Sequence, residues 1–132
     1  MSCFVDTSAF YALMDASDQD HARGKARWAG LVNHDEVLVT TNYVLLETAA
    51  LLQGRLGLEA LRVFQDDIAG LCSVTWVDEE LHRSCLLGLL LSGNRKISLV
   101  DAVSFQVMRG AGVETAFCFD SHFRKQGFTI LS

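Results

Sequence analysis

The stretch CFVDTS at residues 3–8 decides the fold, because it joins an apolar run to polar residues that open a helical pattern. The run from Cys3 to Val5 predicts a short buried strand, and the pattern that continues to Met14 predicts a short helix. The same alternation recurs outward along the chain. Further apolar runs, which predict strands, lie at residues 37–40, 73–77, 115–119 and 129–131. Helical patterns lie between most of them, at residues 19–32, 42–53, 58–68, 79–91 and 99–110.

Strands that are separated by helices pair in parallel through crossover connections. Strands that are almost wholly apolar are typical of a sheet covered on both faces. The sequence therefore predicts an α/β fold, a three-layer α/β/α sandwich with a central, mostly parallel sheet. Because the chain has 132 residues, no proline and no low-complexity stretch, we expect residues 1–132 to form a single domain. In such folds the ligand site lies beyond the carboxyl ends of the strands.

The charge balance limits how this chain can meet a nucleic acid. It has 16 acidic and 11 basic residues, a formal net charge of -5. Proteins that bind nucleic acid through overall positive charge use Lys and Arg to contact phosphates, so the acidic surplus argues against that mode. Contact with phosphates through a bound cation is still possible. None of the four cysteines belongs to a C-x-x-C pair, which excludes the common zinc and redox motifs. Without a signal-peptide pattern or an apolar stretch of spanning length, we expect a cytoplasmic protein that does not engage a membrane.

Four acidic residues stand alone among uncharged neighbours, unlike the other acids of the chain. They are Asp6, Glu47, Asp101 and Asp120. Burying an isolated carboxylate is costly, so each needs a partner or a metal ion. Helix capping is the structural alternative for Asp6 and Asp120, and Ser98 with Asp101 matches a capping box. Glu47 lacks such an explanation, because it falls inside a predicted helix that has no basic residue spaced to pair with it.

The four isolated acids are predicted to meet at one edge of the sheet. Asp6 and Asp120 end strands, whereas Asp101 and Glu47 fall in the first and second turns of helices that can face the same edge. Converging carboxylates repel one another unless a cation neutralises them. Oxygen ligands without a His or Cys cluster favour Mg²⁺ or Mn²⁺ over zinc. We therefore expect these four residues to form a binding site for Mg²⁺ (or Mn²⁺).

The motifs around these acids resemble those of the PIN-domain family, and more closely its VapC-type toxins of bacterial toxin–antitoxin pairs. The resemblance rests on FVDTSA at residues 4–9, on residues 42–47, on SLVDA at 98–102 and on FDSHF at 119–123, with Gly127 and Phe128 closing it. It spans essentially the whole chain in the family's order. It implies a parallel sheet flanked by helices, Mg²⁺- or Mn²⁺-dependent RNA cleavage, and an acidic site at Asp6, Glu47, Asp101 and Asp120.

The resemblance also bears on the residues around the acids. It implies that Thr7 and Ser98 line the site with hydroxyl groups. Many relatives carry a further acid two residues after the fourth one, where this chain has His122, and this departure predicts an altered metal preference or a less occupied second metal position. His122 is also a candidate substrate contact, as are Arg95 and Lys96 just before Ser98. Other basic candidates are scattered, at Arg23, Lys25, Arg27, Arg124 and Lys125.

The resulting hypothesis is a metal-dependent endoribonuclease, a hydrolase in which a cation held mainly by Asp6, Asp101 and Asp120 activates water against an RNA phosphodiester. The resemblance implies the toxin of a type II toxin–antitoxin system, with a small antitoxin protein as partner and a homodimer as the assembly. The leucine-rich residues 86–91 and the helical residues 58–64 also carry more apolar side chains than one core face needs.

Two alternatives stay open. One is a PIN-domain nuclease that acts in RNA processing without a toxin role, and the other is a non-catalytic protein-binding module whose acids are structural. A receiver domain or a related phosphatase is disfavoured, because Asp6 is followed by Thr7 and Ser8 instead of the second acid that those sites need. The absence of the glycine-rich nucleotide motifs and of G-x-S-x-G disfavours nucleotide-binding enzymes and serine hydrolases.

Overall fold

The computed structural model describes all residues from Met1 to Ser132. Five short strands and seven helices alternate along the chain. The strands are β1 (Ser2–Val5), β2 (Val37–Thr41), β3 (Ser73–Thr75), β4 (Thr115–Phe117) and β5 (Thr129–Leu131). The helices are α1 (Thr7–Met14), α2 (His21–Asn33), α3 (Asn42–Arg55), α4 (Leu58–Val63), α5 (Glu79–Ser92), α6 (Leu99–Ala111) and α7 (His122–Lys125).

All five strands form one parallel sheet in the order β3-β2-β1-β4-β5. The predicted α/β fold with a central parallel sheet is confirmed. Strand β1 is the middle strand, and its Phe4 pairs with Val39 of β2 on one side and Ala116 of β4 on the other. The chain builds outward from β1 to β2 and β3, and then returns to its other side for β4 and β5. The carboxyl ends of β1 and β4 therefore flank the topological switch point, where parallel sheets open a crevice for ligands.

Side-chain caps fix where the helices begin. Asp6 accepts from the backbone N–H of Ser8, Thr41 from Val44, Asp78 from Leu81 and Ser98 from Asp101. Each cap satisfies a backbone donor that the first turn of a helix leaves free. Two glycines in the left-handed conformation, Gly93 and Gly112, end α5 and α6. The capping interpretations of Asp6 and Ser98 are therefore correct as local structure, and they leave open what the Asp6 carboxylate does besides.

The structure corrects the boundaries of several predicted elements. Helix α3 runs past Gly54 to Arg55, because the chain needs a positive φ only at Gly57, where φ is 99°. The predicted helix at 58–68 is α-helical only to Val63 and continues as one π-helical turn over Phe64–Ile68, with Phe64 packed edge-on against Phe10. The third and fourth strands end at Thr75 and Phe117, two residues earlier than predicted, because their partners offer no further ladder positions.

The core lies on both faces of the sheet. Phe4, Val5 and Phe117 of the two inner strands are fully buried. An aromatic group beneath β1 and β4 joins Phe123 to Phe105, whose ring centroids lie 5.0 Å apart. The four cysteines are free thiols, and three of them are buried. No helix is both long enough and apolar enough to traverse a lipid bilayer.

Candidate active site

A cavity of about 510 Å³ opens at the carboxyl ends of β1 and β4. It brings together the four isolated acids, which come from positions up to 114 residues apart between Asp6 and Asp120. Its lining is mostly polar. The fifteen residues are Asp6, Thr7, Ser8, Tyr11, Asp18, Asp20, Glu47, Leu51, Arg55, Lys96, Ser98, Asp101, Phe119, Asp120 and His122.

Asp6 lies deepest, at the point where β1 passes into α1. Its side chain is 3% exposed. One carboxylate oxygen, Oδ2, accepts from the Ser8 hydroxyl at 2.8 Å and from the Ser8 backbone N–H at 3.2 Å, whereas the other, Oδ1, is buried without any hydrogen-bond partner. Burial, and secondly the negative charge of Asp120, raise the pKa of Asp6 to about 8. A buried carboxylate oxygen without a donor is costly, so this atom is the place where a cation relieves the largest desolvation penalty.

The Ser8 hydroxyl ties the two inner strands together at this edge. Besides donating to Asp6, its oxygen accepts from the backbone N–H of Phe119, at 3.0 Å, in the segment just after β4. The N–H of Asp6 itself donates to the carbonyl of Phe117, at 3.1 Å. These bonds fix the position of Asp6 relative to the segment that carries Asp120.

Asp101 occupies the first turn of α6 and is held by His122. The ring nitrogen Nδ1 of His122 lies 2.8 Å from Oδ2 of Asp101, and the Ser98 hydroxyl accepts from the Asp101 N–H at 3.0 Å. Burial raises the pKa of Asp101 above its usual range; the hydrogen bond from His122 opposes this, and the charges of Asp120 and Glu47 add to it. Asp120 and Glu47 therefore lie close enough to Asp101 to act on its charge.

Asp120 and His122 sit on the short turn between β4 and α7. Oδ1 of Asp120 accepts from the His122 N–H at 3.0 Å, which fixes the turn. Asp101, Asp120 and His122 each offer a ligand atom within 4.8 Å of the others. Two carboxylates and an imidazole this close together are ligand types that bind a divalent cation, at about 2.0–2.2 Å once it is present.

Glu47 reaches the cavity from the second turn of α3. It lies on a face with Leu51 and Arg55, four and eight residues further along, and all three line the cavity. The adjacent face of α3 carries Val44 and Leu52, which are fully buried in the core. The helix is thus anchored on one side and presents Glu47 on the other, without a basic partner from its own helix.

The structure separates the predicted substrate contacts into two groups. Thr7, Lys96, Ser98 and His122 line the cavity, and Arg95 does not. Of the scattered bases, Arg23 is paired with Asp20 on the surface. The sequence interpretation did not include Ser8, Tyr11 and Arg55, which also line the cavity. Helical spacing carried a signal for Arg55, because it stands two turns after Glu47 on the same face.

These residues fit a hard divalent cation. The donor set is rich in carboxylate oxygen, Oδ1 of Asp6 is buried and unpartnered, and burial together with mutual repulsion raises the pKa of both Asp6 and Asp101. A protein that used these acids only as caps would not need to bury an unpartnered oxygen. The one nitrogen ligand available, His122, makes the site less purely oxygen-based than the sequence interpretation assumed.

Comparison with known proteins agrees with this geometry. The model of the PIN domain matches residues 3–128. Two relatives from Mycobacterium tuberculosis, strains CDC 1551 / Oshkosh and ATCC 25618 / H37Rv, are each named 23S rRNA-specific endonuclease VapC20. Both are 36% identical over 126 residues, which cover 95% of this chain and 94% of the relative.

Two solved structures share the fold. The crystal structure of Mycobacterium tuberculosis VapC20, described as a sarcin–ricin loop cleaving toxin, superimposes with a TM-score of 0.84 at 35% identity and covers 97% of both chains. FitAcB from Neisseria gonorrhoeae gives a TM-score of 0.69 at 13% identity, over 98% of this chain and 96% of that chain. At 13% identity the second match speaks for the fold alone.

Proposed function

Because the chain belongs to the PIN domain family, we propose that it is a metal-dependent endoribonuclease that hydrolyses RNA phosphodiester bonds, and that it acts as the toxin of a type II toxin–antitoxin pair. The observation that carries the proposal is the deeply buried Asp6, whose unpartnered Oδ1 belongs to a cavity shared with Glu47, Asp101 and Asp120. Residues 1–132 would act as one PIN domain.

Asp6, Asp101 and Asp120 would hold Mg²⁺ or Mn²⁺, with Glu47 beside them and His122 able to add an imidazole nitrogen. When bound, the cation supplies an activated water and neutralises charge at the phosphate. Glu47 is the acid best placed to act on the incoming water or the substrate side, because it stands on a helix face that opens to the cavity. A bound cation would favour the unprotonated form of Asp6, whose pKa burial raises to about 8, and would also offset the upward shift that burial gives the pKa of Asp101.

The surrounding residues keep the acids in place and receive the substrate. Ser8 orients Asp6, and His122 orients Asp101 through the 2.8 Å contact. Substrate binding is assigned to Thr7, Ser98, Lys96 and His122, which line the cavity, and to Arg95, which does not line it but directly precedes Lys96 in the sequence. A hydroxyl or ammonium group here can donate to phosphate oxygens, which the acids themselves repel.

The substrate class follows from the relatives. VapC20 is named for its specificity for 23S rRNA, and it resembles this chain over nearly the full length of both proteins. We propose that this chain likewise cuts a structured loop of ribosomal RNA. This proposal is more specific than the nuclease assignment. If the protein cleaves other RNA but not this loop, the proposed substrate is wrong and the nuclease assignment stands.

A small antitoxin and a second copy of the chain are the proposed protein partners, in the cytoplasm. The apolar surplus foreseen on α5 is exposed in the structure: Leu90 is 70% and Leu91 is 79% accessible. Exposed apolar groups of this kind mark protein contact surfaces. Growth arrest on expression of this chain alone, and its relief by a co-purifying small protein, would separate the toxin role from a role in RNA processing.

The decisive experiment is a cleavage assay on a sarcin–ricin stem-loop RNA, beside the same stem with a scrambled loop. We expect cleavage with Mg²⁺ or Mn²⁺, none with EDTA, and loss of activity in Asp101→Asn. Asp66→Asn, at an exposed carboxylate of the π-helical turn, serves as the matched control and should keep full activity. Undiminished cleavage in EDTA would overturn the metal-dependent mechanism, and failure of Mg²⁺ and Mn²⁺ to raise the melting temperature would favour the non-catalytic alternative.

A further inference from the structure

The acidic cavity contains one arginine, and it comes from the α1–α3 side. Arg55, in the last turn of α3, lies over the ring of Tyr11 of α1, with its Cζ atom 5.1 Å from the ring centroid. Both residues line the cavity together with the four acids. The ion pairs of the structure join Arg23 to Asp20, Arg62 to Glu59, Arg83 to Glu79 and His122 to Asp101. None of them uses Arg55, so no acidic side chain is paired with its charge.

Tyr11 is a fixed platform for this guanidinium group. Its hydroxyl donates to Oδ2 of Asp15, at 2.7 Å, and Asp15 is held in turn by the hydroxyl of Ser17, at 2.7 Å. A guanidinium group held over an aromatic ring leaves N–H groups that can meet a phosphate, and its planar fork suits bidentate contact. The stack therefore orders the side chain before any substrate arrives, which lowers the entropic cost of binding.

The acidic lining of the cavity makes a basic side chain there favourable for binding RNA. Its lining holds six acidic side chains, and its only side chains with a permanent positive charge are Arg55 and Lys96. An RNA strand entering such a site is repelled unless its phosphates meet positive charge outside the metal position. Arg55 stands eight residues after Glu47 on the same helix, a rise of about 12 Å. A phosphate near Arg55 therefore belongs to a neighbouring nucleotide, and the cleaved phosphate lies nearer the acids.

We propose that Arg55, ordered on Tyr11, is a substrate-binding residue that contacts the RNA backbone at a phosphate next to the cleaved one. This inference rests on the proposed endoribonuclease function and names a contact that the sequence analysis did not foresee. The competing interpretation is structural: the stack would only fasten α1 to the end of α3. The two differ in salt dependence, because a phosphate contact releases counterions and a stack between helices does not.

The test measures kcat and KM on a labelled stem-loop RNA at several salt concentrations. For Arg55→Gln we expect KM to rise about tenfold with kcat within about twofold of the wild type, as for loss of one charge-assisted hydrogen-bonding group. The slope of log(kcat/KM) against log salt should become shallower by about 0.7–0.9, the value for one phosphate contact. Arg55→Lys keeps the charge and loses the fork, so it should retain the slope while KM rises severalfold.

Two further variants separate substrate binding from folding. Arg83→Gln removes an exposed arginine of α5 that is paired with Glu79, and it should leave both KM and the salt slope unchanged. Tyr11→Leu removes the platform, so it should raise KM less than Arg55→Gln does, and the double variant should be no worse than Arg55→Gln alone. Melting temperatures of all variants identify any that are simply misfolded.

Each result decides a different question. Wild-type protein that cleaves no RNA would refute the proposed function. Wild-type protein that cleaves, with Arg55→Gln showing the wild-type KM and salt slope, would refute only the role of Arg55. A loss confined to kcat would also overturn the inference, because it would place Arg55 in the chemical step.

Discussion

Replacing Asp6 with asparagine tests the electrostatic core of the site without relying on catalysis. The amide side chain of Asp6→Asn would keep an oxygen to accept from the Ser8 hydroxyl and N–H, which now bond to Oδ2. Its NH₂ group would take the place of the unpartnered Oδ1, close to the negative charges of Asp120 and Asp101 that act on Asp6. The substitution therefore removes a buried charge, preserves the shape and replaces the one buried carboxylate oxygen that has no hydrogen-bond partner.

The expected stabilisation follows from the pKa of Asp6, which is about 8 in the folded protein against an ordinary 3.8. Because the folded pKa is raised, the folded state is penalised as the pH rises from about 4 towards 8, and not below about 4. One pKa unit corresponds to about 1.4 kcal/mol, which sets a limit of about 4 kcal/mol at pH 7. Part of the raised pKa of Asp6 comes from the neighbouring charges of Asp120 and Asp101 and not from burial alone, so we expect about 2–4 kcal/mol.

The assay is thermal or urea unfolding of the metal-free protein, in a chelator, at pH 4 and pH 7. Asp6→Asn should be more stable than the wild type by about 2–4 kcal/mol at pH 7, roughly 10 °C in Tm, and equal to it near pH 4. Mg²⁺ should then raise the Tm of the wild type and have little effect on Asp6→Asn. Asp66→Asn should behave as the wild type throughout. If Asp6→Asn is the less stable protein at pH 7 in chelator, the account of a destabilising, cation-seeking carboxylate is wrong.

Three other substitutions test the surroundings of Asp6. His122→Asn removes the only nitrogen ligand near Asp101 and Asp120. Titration calorimetry should show that the affinity for Mn²⁺ falls about 10–100-fold while the affinity for Mg²⁺ falls less. An unchanged ratio of the two affinities would show that His122 does not contact the cation. Ser8→Ala removes the hydroxyl that joins Asp6 to Phe119, so unfolding measurements should show a loss of about 1–3 kcal/mol, and activity should fall as well; retention of both would refute its positioning role. Glu47→Gln should lower kcat roughly 100-fold and leave the Tm nearly unchanged, because the side chain is only partly buried; a large fall in Tm would instead make Glu47 a structural residue.

Much of the fold was predictable because its signals are local. Apolar runs such as Cys3 to Val5 indicate a strand that is buried on both faces of the sheet. Side-chain caps such as Asp78 and Ser98 mark where helices begin. The parallel order followed from the alternation itself. The predicted end of α3 at residue 53 was two residues early, because the positive φ comes only after the helix, at Gly57. The π-helical turn at Phe64–Ile68 has no local sequence signal, and its Phe64 packs against Phe10, which is distant in the sequence.

The candidate site divides in the same way. The isolation of Asp6, Glu47, Asp101 and Asp120 among uncharged residues is visible in the sequence, and the carboxyl-end rule gathers them at one edge. The contacts between them are not visible, because they join residues distant in sequence. Ser8 meets Phe119 across 111 positions, and His122 meets Asp101 across 21. The sequence likewise does not show that Lys96 lines the cavity and that its neighbour Arg95 does not.

The bond between Ser8 and Phe119 has a consequence for how such a protein is made in a living cell. Because synthesis proceeds from the N-terminus, Asp6 is made 114 residues before Asp120 and 116 residues before His122. A chain that is still being translated, or one cut short by a premature stop, can contain Asp6 and Glu47 and still lack the segment that carries Asp120. A chain that stops before Asp120 therefore lacks part of the acidic site, and we expect it to show no metal-dependent nuclease activity.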